Sequence, residues 1–575
     1  MALPTTDTEF FSMHRTFRTT TARRQTYLDG YWDFITDPLD QGVDQGWYSD
    51  FPSASHQVWV PGVWNTQRGF LNYEGIAWYR TSFEVIDCRA LAICFGAVTH
   101  LANVWLDGEL LGEHYGGFLP FSFLVSHPEC RRHELVVRVD NTHDLTGTIP
   151  SARLDWFKYG GIFRPGWVEE LAHDGYIASL RLTGGVEDGT PTLQAAAELT
   201  NLTELPLETD WTLQIDGRTL HREKLRLNPL DTIQRTAELQ VPDAELWSPQ
   251  QPQLYTVTST FGSDNLIERV GFRQISVQGT QVLLNGQPLR LHGVHRHDDH
   301  PEWGFAVPEP LTLRDLEMIG SLGLNALRSA HYPSDQRLLD LCDERGIMVI
   351  EEIPLSDFSA QQLALSLIGD RASAMLWAMI QRDIHHPCIW AWSLLNECET
   401  NSQEGYAVVE RLAATARETD PSRPITFASR DALNDISFEL VDFVTVNSFI
   451  GWYTFDMTLP AFLDRIRARI GDKPLLIGEF GAEGLYGTRT LEEDIMWSEE
   501  YQRKVVCEQT KYLLGRRDII GFYIWQFADS RSDGELYALG RPRSYNNKGL
   551  LDEYRHPKLV YYALRDLLTN AHQGC

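Results

Sequence analysis

The sequence predicts a multidomain chain that ends in a TIM (β/α)8 barrel. Three observations carry this: the length, a long N-terminal stretch with the two-residue period of β-strands, and eight apolar runs that alternate with amphipathic helical patterns after residue 276. At 575 residues the chain exceeds what one hydrophobic core organises, and about 100–200 residues per domain gives roughly three units. They read as a β-sandwich over 1–174, an immunoglobulin-like β-sandwich over 175–275 and the barrel over 276–575.

In the first segment, short alternating strands such as WVPGVW, IAWYRTSFEV and HELVVRVDN lie between turns, as in an aromatic-rich sandwich. LDGELLG sets an Asp-Gly pair between two apolar runs, the strongest short-range hairpin signal. The second segment (SLRLTGG, TLQAAAELTN, DWTLQIDG, LYTVTSTFG) has immunoglobulin-like spacing and no evident chemistry. In the third, the candidate strands are 289–295, 325–331, 347–353, 389–397, 425–430, 443–449, 475–480 and 519–527. Helical patterns such as DQRLLDLCDERG, QEGYAVVERLAATARET and LPAFLDRIRARIG separate them. Eight β/α repeats in about 300 residues specify a closed barrel more readily than an open sheet. The near-continuous apolar runs suit strands buried on both faces.

Composition narrows the function classes. The formal charge of −29 repels nucleic acid and anionic membranes and excludes both as expected partners. No run approaches the ~20 apolar residues of a membrane span, and the first residues hold no signal-peptide core, so a cytoplasmic protein is expected. The eight cysteines are scattered, without a CxxC pair, and read as thiols; neither metal nor cofactor is expected.

A barrel of this kind keeps its chemistry at the C-terminal ends of its strands. Polar residues close most of the runs: His295 and His297, Arg328 and His331, Glu351 and Glu352, Asn396 and Glu397, Asn447, and Glu479, with Trp525 on the eighth. Any one of these is as readily a salt bridge or loop cap as a catalytic group. Their coincidence is the sharper signal. Carboxylates on the fourth and seventh strands face each other across the barrel mouth, as double-displacement glycoside hydrolysis requires, at ~5–5.5 Å between carboxyl groups. Glu479 then attacks the anomeric carbon, and Glu397 serves as general acid and base. His297 and His331 read as hydrogen-bonding groups rather than metal ligands, because no third ligand stands at suitable spacing. Trp525 offers a flat face beneath a sugar ring, and Glu352 is placed to tune the nucleophile. Glu399 and Glu483 read as surface or supporting groups, and Cys398 as packing. No long insertion follows the third strand, so the mouth is expected to be open and to admit aryl and small-alkyl glycosides.

The motifs around these residues resemble glycoside hydrolase family 2, and within it the β-glucuronidases most closely. WSLLNE (392–397) looks like the acid/base signature, with Asn396 the residue implied to bind the sugar 2-hydroxyl, and LLIGEFGAE (475–483) looks like the nucleophile signature. SAHYP (329–333) and HRHDD (295–299) match further barrel motifs, with Asp298 where many relatives have Glu. YNNKGLLDEYRHPK (545–558) resembles the motif that grips a glucuronate carboxylate, which makes Asn546 and Lys548 the implied uronate readers. NSFIGWY (447–453) brings Asn447 and Tyr453, with Phe449 where a Tyr is common, and LDWFKYGGIFRP (154–165) brings Asp155. The stretch 530–546 departs from the pattern and carries Arg541 and Arg543, either supplementing Lys548 or simply solvated. The resemblance spans nearly the whole chain and implies a sugar-binding-like jelly roll, an immunoglobulin-like domain and a barrel, assembled as a homo-oligomer. It implies a carbohydrate substrate, first a terminal β-D-glucuronide cleaved with retention. β-Galacturonides, β-galactosides or galactofuranosides are the alternatives, and an inactive carbohydrate-binding protein the remote one.

Overall fold

The computed structural model describes residues 14–152, 154–533 and 540–573; Cys575, the N-terminal residues 1–13 and residues 534–539 of the divergent stretch lie outside them. The other seven cysteines are free thiols. No helix among the described residues is long and apolar enough to cross a membrane.

Two antiparallel sheets form the first sandwich. One runs in the order His56–Val60, Gly30–Thr36, Ile76–Glu84, Arg132–Asp140, Leu101–Leu106, Glu109–Tyr115, and the other in the order Arg24–Tyr27, Gly166–Leu171, Ala90–Phe95, Phe121–Ser126. Inward residues of both, among them Phe34, Tyr79, Ile93, Phe95, Val137 and Val168, fill one core. The Asp-Gly pair makes its hairpin between Leu101–Leu106 and Glu109–Tyr115: Asp107 and Gly108 both have positive φ, at 50° and 84°, the backbone a type I′ turn demands. The second sandwich pairs a three-stranded sheet with a four-stranded one around Trp211, whose indole N–H donates to Ser259 at 3.0 Å.

The barrel closes in sequence order through β1 (Leu291–Arg296), β2 (Ala326–Ser329), β3 (Met348–Glu352), β4 (Ile389–Asn396), β5 (Ile425–Ser429), β6 (Val444–Asn447), β7 (Leu475–Phe480) and β8 (Gly521–Ile524). Every neighbouring pair is parallel, including β1 with β8, and seven of the eight strands are buried at every position. Each strand matches an apolar run read from the sequence, but several stop earlier. The runs ending at His331, Glu397 and Phe527 leave the ladder at Ser329, Asn396 and Ile524.

The helices end where their chemistry says. Asp335 caps α1 (Gln336–Arg345) by accepting from the Arg337 N–H, and Gly346 closes it in the left-handed conformation. Ser402 caps α2 (Gln403–Thr419) through the Gly405 N–H.

Arginines bind the three units together. Arg15 reaches Glu268 of the second sandwich at 2.8 Å and Asp340 of the barrel's α1 at 2.7 Å. Arg23 reaches Asp264 of the second sandwich at 2.8 Å and Glu169 of the first at 2.9 Å, and donates to the Ile177 carbonyl at 2.7 Å. Removing one partner of such a buried pair leaves the others charged and unsatisfied, a cost of about 3–5 kcal/mol. Arg23→Ala should therefore lower the first calorimetric unfolding transition by several degrees, whereas Arg226→Ala, on an exposed pair, should leave it within about a degree. Equal shifts in the two variants would show that Arg23 does not tie the sandwiches together.

Candidate active site

At the C-terminal mouth of the barrel lies a cavity of about 540 Å³ whose wall includes both Glu397 and Glu479. Glu397 follows the last residue of β4 and adopts φ 52°, a left-handed backbone that costs a non-glycine residue ~1–2 kcal/mol. Its carboxyl accepts from Asn447 Nδ2, at the end of β6, at 2.8 Å. Glu479 sits within β7 one residue after Gly478, where an added Cβ would stand 2.6 Å from both the Asn447 amide oxygen and the Thr445 methyl. A bare backbone at 478 is what lets Asn447 close on the mouth.

Arg328, at the end of β2, organises the floor. Its guanidinium donates to Glu352 at 2.8 Å, to the Asn396 amide oxygen at 2.9 Å and to Glu479 at 3.3 Å. Glu352 also accepts from His331 Nδ1 at 2.7 Å and Ser393 at 2.6 Å, and Arg328 with these donors holds its carboxyl down to about 2 despite complete burial. Glu479 moves the other way. Burial and the like charge of Glu397 push it well above the usual carboxylate range, against the pull of Arg328.

Aromatic and imidazole rings line one side. Trp525 stacks on His331 at 5.0 Å and 15° and meets His297 edge-on at 5.4 Å. Trp156, from the first sandwich, packs against His331 at 5.4 Å. The Tyr332 hydroxyl accepts from the Asp298 N–H and faces His297 Nδ1 at 3.2 Å, and burial pushes His297 well below its ordinary value, so it is neutral. His297 therefore stands behind Trp525 and His331 as support rather than on the cavity wall.

The opposite end is cationic at its tip and balanced behind it. Lys548 donates to Tyr453 Oη at 2.8 Å and to Glu483 at 2.9 Å, within a cage formed by the Phe449, Trp452 and Tyr453 rings. Arg541 pairs with Asp155 and with Glu483 at 3.3 Å, and Asn546 Nδ2 donates to Asp155 at 3.1 Å. Asp155, Tyr453, Arg541 and Lys548 line the cavity; Asn546 is buried behind Asp155 and acts through it.

One expectation needs correction. Arg543 does not supplement Lys548: left-handed backbone at 543 and 544 turns its side chain, 62% exposed, outward onto Glu553. Of the two readings open for Glu483, the supporting one holds: it is buried and accepts from Lys548, Arg541 and the Asn547 N–H. Glu399, by contrast, caps the Ala360 N–H at the surface at 2.8 Å.

Sequence reasoning missed Asp357 and Arg430, both on the cavity wall and 2.9 Å apart. Burial and the charge of Glu397 push Asp357 up to about 7, against Arg430. The available signal was a polar residue in the loop after β3. Missed too was the apolar wall of Leu433, Ile450, Met457 and Phe462, which carries no polar mark in the sequence.

The one cluster with metal-ligand chemistry among the described residues, Asp343, His386 and Cys388, lies at the other end of β4. Both Asp343 oxygens there are already engaged, by His386 at 2.5 Å and by the Cys388 N–H at 2.8 Å.

Comparison with known proteins agrees with this arrangement. Family models described as "Glycosyl hydrolases family 2, sugar binding domain", "Glycosyl hydrolases family 2" and "Glycosyl hydrolases family 2, TIM barrel domain" match residues 25–169, 175–273 and 275–570. Curated relatives include the β-glucuronidases of Pongo abelii, 28% identical over 95% of this chain and 91% of that protein, and of Paenibacillus borealis, 27% identical over 94% and 96%. Among solved structures, a β-galacturonidase from Eisenbergiella tayi bound to galacturonate is 33% identical, with a TM-score of 0.91 over 97% of this chain and 99% of that one. The Ruminococcus gnavus β-glucuronidase is 26% identical, with a TM-score of 0.85 over 95% and 98%. Matched in order along almost its whole length, the chain belongs to glycosyl hydrolase family 2 and is a glycoside hydrolase.

Proposed function

We propose that the enzyme removes terminal β-D-uronic acids from their glycosides by double displacement, with Glu479 as nucleophile and Glu397 as general acid and base. The observation that carries the uronide reading is Lys548 at the closed end of the cavity. Its ammonium has three N–H donors, and among the described residues two are donated, to Tyr453 and Glu483. The third is left for a substrate carboxylate, beside the Arg541 guanidinium, in a protein of net charge −29.

The mechanism follows from the charges. Arg328 supports ionised Glu479 as it attacks the anomeric carbon, and Glu397 gives a proton to the leaving oxygen. With Glu479 esterified, Glu397 takes a proton from the water that attacks the glycosyl ester, which frees the sugar and Glu479. The amide of Asn396, aligned by Arg328 and by Ser356 at 3.2 Å, is the group assigned to the sugar 2-hydroxyl. Side chains and water supply all of this chemistry. A homo-oligomer in a cytoplasmic setting belongs to the same reading.

Among uronides, galacturonides come first, because the chain shares more sequence with the E. tayi β-galacturonidase than with the R. gnavus β-glucuronidase and superposes on it more closely. The curated relatives favour glucuronides as the second reading.

Rates on nitrophenyl β-galacturonide, β-glucuronide, β-galactopyranoside and β-galactofuranoside test this directly: both uronides should exceed both neutral glycosides, with galacturonide first. Losing one charge-assisted hydrogen bond costs about 1.5–3 kcal/mol, so Lys548→Ala should lower kcat/KM on the favoured uronide about 10–100-fold. An unchanged value would remove the uronate role. Glu479→Ala should abolish turnover, while Glu397→Ala should still glycosylate on activated aryl leaving groups, which need little protonation. Equal loss across a series of leaving-group acidities would exchange or cancel the two roles.

A further inference from the structure

A second cavity, of about 520 Å³, adjoins the catalytic one, and the two share Asp357 and Arg430 on their walls. It lies on the Glu397 side of the mouth. Asp357, at the boundary between the cavities, donates its backbone N–H to the Asn396 carbonyl at 3.0 Å, and Asn396 directly precedes Glu397. A group attached to the oxygen that Glu397 protonates has a way past Asp357 and Arg430 into this cavity.

Thr146, Ser359, Gln361 and Glu399, with the shared Asp357 and Arg430, present hydroxyl, amide, carboxylate and guanidinium groups, against only two leucines. These groups supply both donors and acceptors, including the paired Asp357 and Arg430, which suits the vicinal hydroxyls of a sugar.

The groove is also built rather than incidental. Its far wall is a loop of the first sandwich, held tight by Asp144, which accepts from the Thr146 N–H at 2.6 Å and the Gly147 N–H at 2.5 Å. Gln362 Nε2 crosses to the Leu145 carbonyl at 2.8 Å and ties that loop to the barrel. On the barrel side, Ser359 and Gln362 form a reciprocal cap at the start of the short helix Ala360–Leu363, which fixes the segment carrying Gln361.

We infer that this groove is a leaving-group site for a saccharide, so that the substrates are uronosyl oligosaccharides, with the first leaving-group sugar between Asp357 and the Leu433–Ile450 wall and the next sugars in the groove. The inference rests on Glu397 being the proton donor, as proposed above. Gln361 lines only the second cavity, so Gln361→Trp fills the groove without touching the uronate end or the two carboxyls.

Two measurements test it. In saturation-transfer NMR with a neutral β-linked trisaccharide, which needs no turnover, signals should be present with the wild-type enzyme and lost with Gln361→Trp; absent or unchanged signals would overturn the groove as a saccharide site. In turnover, kcat/KM on a β-uronosyl trisaccharide should fall about tenfold or more in Gln361→Trp, while the value on the matching nitrophenyl β-uronide stays within about twofold. Equal change on both substrates, or on neither, would overturn it. A wild-type enzyme idle on every uronide but active on neutral glycosides would instead sink the uronide reading and leave the NMR result to decide the groove.

Discussion

The mouth of this barrel is organised around one buried guanidinium. Arg328 is virtually without solvent contact, and it simultaneously holds Glu352, Asn396 and Glu479, which come from three different strands. A cation so placed is tolerable only because carboxylates surround it, and those carboxylates are tolerable only because of it. The result is a division of labour among acids of one chemical type. Glu352, gripped by Arg328, His331 and Ser393, is held ionised and inert, while Glu479, reached at a longer distance and opposed by Glu397, stays poised. Two carboxyls in different electrostatic settings are what acid/base and nucleophilic chemistry both need.

Much of this was legible in the sequence, and for physical reasons. A barrel strand buried on both faces must be apolar along its length, so the eight runs stood out, and the polar residues closing so many of them at once pointed to function more sharply than any one alone. That logic located Arg328, Glu352, Asn396, Glu397, Asn447 and Glu479 before any coordinates. It worked less well off the strands. Asp357 and Arg430 sit in loops, where polar residues are ordinary, and nothing in their spacing marks them as facing the mouth. Arg541 and Arg543, two residues apart in one divergent stretch, looked equivalent; a left-handed backbone at Arg543 separates them, sending one side chain into the cavity and the other onto Glu553. No periodicity encodes that. Glu483 stayed open between a surface and a supporting role for a related reason: a carboxylate is a surface residue by default, and only the three-dimensional convergence of Lys548, Arg541 and Asn547 explains its burial.

The cationic end shows how an acidic protein makes room for an anion. Lys548, Arg541, Asp155 and Glu483 form a closed, balanced set at rest. Balance at rest is a requirement, since an uncompensated ammonium and guanidinium in so buried a place would cost several kcal/mol. On the uronide reading proposed above, a substrate carboxylate joins an existing network and takes up a donor that is already oriented, whereas a neutral sugar leaves that donor without its best partner.

The dependence on the first sandwich follows from the same network. Asp155 and Trp156 enter the cavity from that domain, and the Phe157 N–H donates to the Arg531 carbonyl of the barrel at 2.9 Å while Tyr159 donates to Asp299 at 2.7 Å. The loop at 144–147 then forms the far wall of the adjoining groove. A barrel alone would keep Glu397 and Glu479 but lose the acid that holds Arg541 and one ring against His331. The sandwich is therefore part of the binding cavity and not an appended module. The arginine ties that hold the three units together, remote as they are from the carboxyl pair, keep one side of that cavity in place.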